Sequence, residues 1–194
     1  MADQDELSWI AAARRGDRNA FGRLVQAYQV PVYNLAYRML GNPTEAEDAA
    51  QETFLRAYAR LNTYQPEMKF SNWILSIASH HCIDRLRRKR PVILSLESLL
   101  PEQDAPDRHP GPESQTYRKQ QQEEVQQLLQ VLGWEERSMI VMRYWHDMSY
   151  EEIAHALRVS VGAVKSRLHR ARKTLAGHWP VGRLSSTQTG GVYE

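Results

Sequence analysis

The segment SYEEIAHALRVSVGAVKSRLHRARKTL, residues 149–175, contains two helix starts separated by one short turn. Ser149-Tyr150-Glu151-Glu152 has the form of a capping box, in which a serine hydroxyl and a glutamate three residues on satisfy each other's backbone N–H. The helix it opens carries Ile153, Ala154 and Leu157 on one side. Arg158 and Val159 then form a tight connection, and Ser160 caps a second helix. In that helix Val161, Val164, Leu168, Ala171 and Leu175 recur at steps of 3, 4, 3 and 4, the stripe of a buried face. At about 100° per residue, Gly162, Ser166, His169, Arg170 and Lys173 lie opposite that stripe, with Lys165 and Arg172 on one shoulder and Arg167 on the other. Five Lys/Arg and no acid lie between Val161 and Lys173. Two short helices, a tight turn and a basic second helix predict a helix-turn-helix whose early turns reach base edges in a major groove. An ordinary bundle helix with a solvated basic face fits the same periodicity.

Upstream of this pair the helical period continues. A Gln/Glu-rich segment carries Val125, Leu128, Leu129 and Leu132 on one face, Gly133 interrupts, and Trp134 to about His146 reads as another helix. Before it the composition changes. Pro91, Pro101, Pro106, Pro110 and Pro112 are five of the chain's nine prolines, and Glu97, Glu102, Asp104, Asp107 and Glu113 make the stretch acidic. This is linker composition. The expected organisation is an all-α protein with a first helical domain at 1–90, a linker at 91–116, a second domain at 117–176 and a disordered tail at 177–194.

In the first domain, Phe21, Leu24, Val25, Tyr28, Val32, Leu35, Ala36 and Met39 form an amphipathic stripe, capped by Asp17 and closed at Gly41-Asn42-Pro43. Pro31 predicts a kink or break within it. Thr44-Glu45-Ala46-Glu47 reads as a capping box opening the next helix, and a third runs from about Ser71 to Arg90, ending at Pro91. On the second of these, Asp48, Gln51, Glu52 and Leu55 share one face, setting carboxylates beside apolar surface. Phosphate would be repelled there, so the face suits a basic protein partner, although acids in early helical turns also simply complement the helix dipole. The third segment joins Phe70, Trp73, Ile74 and Ile77 to the run Asp84-Arg85-Leu86-Arg87-Arg88-Lys89-Arg90. Rings beside a basic patch suit single-stranded DNA, while a core tryptophan and a solvated helix end fit as well.

Composition bounds the rest. The 194 residues are 42% hydrophobic and 25% charged, with a formal net charge of +2 and one cysteine, Cys82. This excludes an intrachain disulfide framework, and no apolar run is long enough for a membrane span. The acidic start Met1-Ala-Asp-Gln-Asp-Glu6 is unlike a signal peptide, so a cytoplasmic location is expected. His80-His81-Cys82 does not form a metal site, because neighbouring helical residues point about 100° apart. No cofactor-binding loop or nucleophile motif is present, and neither catalysis nor a cofactor is expected.

These blocks together resemble the extracytoplasmic-function group of sigma-70-type RNA polymerase sigma factors, over nearly the whole chain to about Leu175. Arg15-Gly-Asp-Arg-Asn-Ala-Phe21 is similar to the family's opening motif. The stretch from Asp48 to Tyr58 resembles region 2.2, Phe70–Ala78 and Cys82–Arg88 resemble regions 2.3 and 2.4, and Ser149–Arg172 resembles region 4.2. The resemblance implies that Asp48, Gln51, Glu52 and Leu55 contact the β′ clamp helices of core polymerase. It implies that Phe70, Trp73, His80, Arg85 and Arg88 open and read the promoter −10 element, and that Ala163, Lys165, Ser166, Arg167, His169 and Arg170 read the −35 duplex. It further implies a contact with the polymerase β flap, a linker whose acidity mimics nucleic acid, nucleoid association within the holoenzyme, and an anti-sigma partner. Many relatives have asparagine where this chain has His80, so base preference at −10 need not follow theirs. The alternative in another class is a stand-alone operator-binding regulator, which would leave the Asp48 face and the Trp73 cluster unused. The near-neutral net charge is a cancellation between segregated basic and acidic blocks.

Overall fold

The computed structural model describes residues 2–96 and 113–179, and among these every regular element is helical. The first half comprises α1 (Ala2–Arg14), α2 (Arg18–Leu40), α3 (Pro43–Arg60), a 3-10 turn (Leu61–Thr63) and α4 (Phe70–Leu96). The second comprises α5 (Glu113–Gln130), α6 (Trp134–Trp145), α7 (Tyr150–Leu157) and α8 (Val161–His178). In the first half α2 is central, burying Leu24, Val32, Leu35, Ala36 and Met39 against α1, α3 and α4. In the second, α8 packs on α6 and α7 through Val164, Leu168 and Ala171.

Local chemistry accounts for most helix ends. Asp17 accepts from the N–H of Asn19 and Ala20, and Gly41 adopts a left-handed φ of 77° to close α2. The capping box at Ser149 forms with both its hydrogen bonds, and Ser160 accepts from Ala163 N–H. Three expectations differ. First, α3 begins two residues early: Asn42 is its cap, accepting from Glu45 N–H at 3.0 Å, and Pro43 takes the first turn, where its missing N–H costs nothing. Second, α2 continues through Pro31 and α4 runs beyond Pro91 to Leu96. A proline removes one helical hydrogen bond, and the remaining turns on both sides carry the helix across it. Third, α5 starts at Glu113, so helix occupies both ends of the expected 91–116 linker. The centre of that linker, 97–112, and the tail from 180 lie outside the described residues, whereas Gly177 and His178 finish α8.

The two halves pack against each other. The C-terminal carbonyls of α2, among which Tyr37 O already accepts from the capping Gly41 N–H at 2.8 Å, are also met by side chains of the second half. Gln126 Nε2 donates to Tyr37 O and Arg38 O at 3.2 and 3.1 Å, and Arg137 Nη1 donates to Met39 O at 2.6 Å. About a third of the way along α4, the Ser79 hydroxyl meets the Ser138 hydroxyl of α6 at 2.5 Å, both fully buried. The Arg38 guanidinium lies 4.7 Å from the Trp145 ring centre, and Lys69 reaches Glu152 at 3.3 Å.

His146 follows α6 beside this interface, with its Nε2 buried and without a hydrogen-bond partner. Burial, reinforced by Arg38, lowers its pKa to about 4, with Asp147 opposing. The folded state therefore holds a neutral imidazole while the unfolded chain takes up a proton below the ordinary value of 6.5. Stability is fully present above that value and falls as pH drops towards 4, by at most about 3 kcal/mol. Urea unfolding of His146→Leu across this window is expected to show a shallower pH slope than the wild type; an unchanged slope would assign the acid sensitivity elsewhere.

Candidate nucleic-acid interface

The basic surface of α8 is built by its own buried stripe. With Val164, Leu168 and Ala171 inside, Lys165, Ser166, His169 and Arg170 stand exposed, and Ala163 and Arg167 are half-buried at the margin. Two of these cations are oriented by the first turn of α6, where Arg167 pairs with Glu135 and Arg170 lies 3.7 Å from Glu136. Ser166 Oγ donates back to Gly162 O at 2.9 Å, leaving its lone pairs to accept. α8 itself contributes no acidic side chain, and away from Arg167 and Arg170, which face Glu135 and Glu136, its exposed side offers Lys165, Ser166 and His169 to a polyanion.

The second candidate surface is a cleft of about 1010 Å³ between the halves. One wall is α4, through Trp73, Ser76, Ile77 and His80; α3 adds Arg56 and Arg60, and the far wall is Ala154–Val159 around α7. Phe70 is only 1% exposed: its ring sits 5.3 Å from those of Tyr28 and Tyr64 and 5.4 Å from Trp73, supporting the wall from behind. This differs from the expected direct contact. The reason is that Phe70 opens α4 on the side facing α2, where the aromatic cluster seals the bundle. Trp73 is 9% exposed and lines the cleft. His80 is exposed, and its Nδ1 donates to Ser76 O at 2.7 Å, so Nε2 is the atom it can offer a ligand. The basic run beyond is partly neutralised. Arg85 lies 3.8 Å from Glu45 and 3.6 Å from Asp48, Lys89 pairs with Glu45, and Arg87 pairs with Asp84 at 2.8 Å, while Arg88 is exposed.

The third surface is the outer face of α3. Leu55 is 68% exposed and Tyr58 42%, with Gln51 and Asp48 also exposed one and two turns earlier. Glu52 accepts from Arg56 at 2.7 Å, which holds its carboxyl below the usual range. An exposed leucine and tyrosine rimmed by polar groups have the make-up of a protein-contact patch. Asp48 and Arg85, expected to serve different partners, thus belong to one charge cluster.

Sequence reasoning did not anticipate Tyr58, or the contribution of Arg56, Arg60, His155 and Arg158 to the cleft. Tyr58 was findable, one turn beyond Leu55 on the same helical face. The cleft walls were not, because their residues are joined only by the packing of the two halves. Cys82 is buried, which pushes its thiol up to about 12. Among the described residues no group of His, Cys, Asp and Glu is arranged to hold a metal, and no helix is long and apolar enough to cross a membrane.

Comparison with known proteins places these surfaces in a family. Residues 24–92 match the model for Sigma-70 region 2, and residues 122–175 match that for Sigma-70, region 4. The chain is 36% identical over 172 residues to the ECF RNA polymerase sigma factor SigW of Bacillus subtilis, covering 86% of this chain and 92% of SigW. It is 34% identical over 173 residues to the RNA polymerase sigma factor CnrH of Cupriavidus metallidurans, covering 86% of this chain and 90% of CnrH. The structure of CnrH in complex with the cytosolic domain of CnrY superposes with a TM-score of 0.64 at 27% identity, over 90% of this chain and 96% of that one. The helix-turn-helix falls within the region 4 match up to Leu175 and the cleft wall of α4 within region 2, and this chain belongs to the extracytoplasmic-function (ECF) group of sigma-70 RNA polymerase sigma factors.

Proposed function

We propose that this chain binds core RNA polymerase through the outer face of α3, reads a −35 duplex with α8 and opens the −10 element along α4. The observation that carries the reading is the presence of three chemically distinct faces: apolar–acidic on α3, aromatic–imidazole on α4, and basic on α8. Lys165, Arg167, Arg170 and His169 approach phosphates and base edges, with Ser166 and Ala163 against the groove floor. Trp73 and His80 receive an unstacked −10 base, Phe70 stiffens the wall that holds it, and Arg88 and Arg85 meet the backbone. Binding energy alone suffices for melting, because each base-pair step contributes only about 1.4 kcal/mol of stacking. The chain supplies no catalytic group of its own and works in the cytoplasm, at the nucleoid when joined to polymerase. The second half also meets the β flap, and the acidic linker runs near the nucleic-acid channel. Because CnrH is held by a cytosolic domain of another protein, an anti-sigma partner of that kind is proposed here too.

Run-off transcription on fragments of the source genome, with core polymerase and with or without this chain, tests the reading. New, discrete 5′ ends that depend on the chain support it; none, together with palindromic-duplex binding by the chain alone, would favour a stand-alone regulator. Within that assay, Lys165→Ala is expected to lower promoter affinity of the holoenzyme about 3- to 30-fold and to reduce the slope of log K against log salt by about one. An unchanged slope would remove Lys165 from the phosphate contacts.

A further inference from the structure

We infer that the α4 wall of the cleft selects an unstacked base carrying an exocyclic amine, adenine or cytosine, over thymine, and that His80 sets this preference. The inference rests on the −10 reading proposed above and names the base chemistry that site favours. Three side chains lining the cleft direct their single polar hydrogen at a backbone carbonyl. Ser76 Oγ donates to Trp73 O at 2.6 Å, Thr63 Oγ1 to Arg60 O at 2.7 Å, and His80 Nδ1 to Ser76 O at 2.7 Å. A hydroxyl or neutral imidazole whose one hydrogen is engaged in this way has only lone pairs left to offer. Ser76 and His80 stand one turn apart on the same face of α4. Asp84, a further turn on, adds a carboxylate on which Arg87 occupies one lone-pair site at 2.8 Å. This wall is a row of acceptors.

The donors beside it are of another kind. Arg56 and Arg60 on α3 are cations, matched to phosphate rather than to a neutral base edge, and Arg56 is already held by Glu52 at 2.7 Å. Gln65 is exposed, and its amide presents either a donor or an acceptor, so it does not discriminate. Discrimination falls to the α4 row, in which His80 is exposed and Ser76 only half-buried beside Trp73. An unstacked base is read on its Watson–Crick edge. Adenine and cytosine carry an amine donor at the place where thymine carries a carbonyl oxygen. The amine can donate to the Nε2 lone pair. The carbonyl opposes it with a second lone pair, and neither group has a hydrogen to share. Bringing two acceptors together against Trp73 and Ile77 displaces water from both and replaces it with nothing. An amide in place of the imidazole would behave differently, because rotating it exchanges acceptor for donor and accommodates either base.

Forked promoter templates test this, bound by holoenzyme assembled from core polymerase and the full chain. Each unpaired −10 position carries adenine, cytosine or thymine in turn. At one position adenine or cytosine is expected to bind about 5- to 30-fold more tightly than thymine. The advantage should vanish when the amine alone is removed, with purine in place of adenine or 2-pyrimidinone in place of cytosine. His80→Asn should bring the bases at that position within about threefold of one another and leave the preferences at other positions unchanged. The readout is a ratio between bases, so a loss of fold or of polymerase binding does not imitate it. No position at which the amine matters, or an undiminished preference in His80→Asn, overturns the inference while leaving the −10 reading in place. Holoenzyme that binds forked templates no better than closed duplex overturns the −10 reading itself, and the base preference with it.

Discussion

Replacing Leu55 with aspartate is expected to weaken binding to core polymerase about 30-fold or more, with no measurable loss of fold. Leu55 is 68% exposed on α3, so the folded chain hardly uses it, and surface changes of this kind alter stability by no more than about 0.5 kcal/mol. In a contact it behaves differently. Burying a leucine against a partner contributes about 1.5–3 kcal/mol, and a carboxylate in its place must also be stripped of water. At about 1.4 kcal/mol per tenfold, the combined loss exceeds an order of magnitude. Asp48→Arg probes the same face less cleanly, because Asp48 lies 3.6 Å from Arg85 and reversing its charge disturbs the α4 side as well. Equilibrium binding to immobilised core polymerase, with thermal unfolding alongside, reads both quantities. Unchanged core affinity in a folded Leu55→Asp protein would move the polymerase contact off α3.

How much of this was legible in the sequence depends on the range of each interaction. The α7–α8 pair was readable almost residue by residue, because its caps at Ser149 and Ser160 and its 3–4 stripe are local. The start of α3 was misplaced by two residues, because Asn42 and Thr44 are both capable caps and Pro43 favours the earlier one. At Pro91 the helix nonetheless continues to Leu96, because one lost hydrogen bond does not by itself stop it. The acidic face of α3 and the basic end of α4 were each visible, but their partial neutralisation through Glu45, Arg85 and Lys89 joins residues about forty positions apart and needed the fold. Phe70 and Trp73 were ambiguous for a related reason. The same aromatic serves as wall or as contact depending on which way the helix is turned, and the Tyr28–Tyr64–Trp73 cluster decides for Phe70. Nothing in sequence pointed to Ser79, Ser138, Gln126 or Arg137, since ordinary polar residues on helical positions carry no mark of their partners.

Arg137 carries the last and most demanding expectation: Arg137→Leu should cost about 2–4 kcal/mol, and Arg137→Lys should recover little of it. The residue is 8% exposed, and burial lowers the pKa of its guanidinium. Among the described residues no carboxylate pairs with it. Its compensation comes from helix ends: Nη1 donates to Met39 O at the close of α2, and Nη2 to Gln130 O and Leu132 O at the close of α5, at 3.1 and 3.2 Å. Both helices direct the negative ends of their dipoles at one cation. Leucine would fill the space but leave buried carbonyls without donors, at about 1–3 kcal/mol for each that water cannot reach. Relief of the buried charge offsets part of this, which sets the expected range. Lysine keeps the charge and loses the fork. A single ammonium on a flexible stem does not hold two carbonyl groups on different helices in the fixed geometry that the planar guanidinium provides. The bonds to Gln130 and Leu132 hold the second half together, whereas the bond to Met39 crosses to the first, so the deficit should divide between domain stability and docking. Urea unfolding should report the first, and a larger radius of gyration in small-angle X-ray scattering the second. An Arg137→Lys protein within about 0.5 kcal/mol of the wild type would show that positive charge suffices and that the two-pronged geometry does not matter.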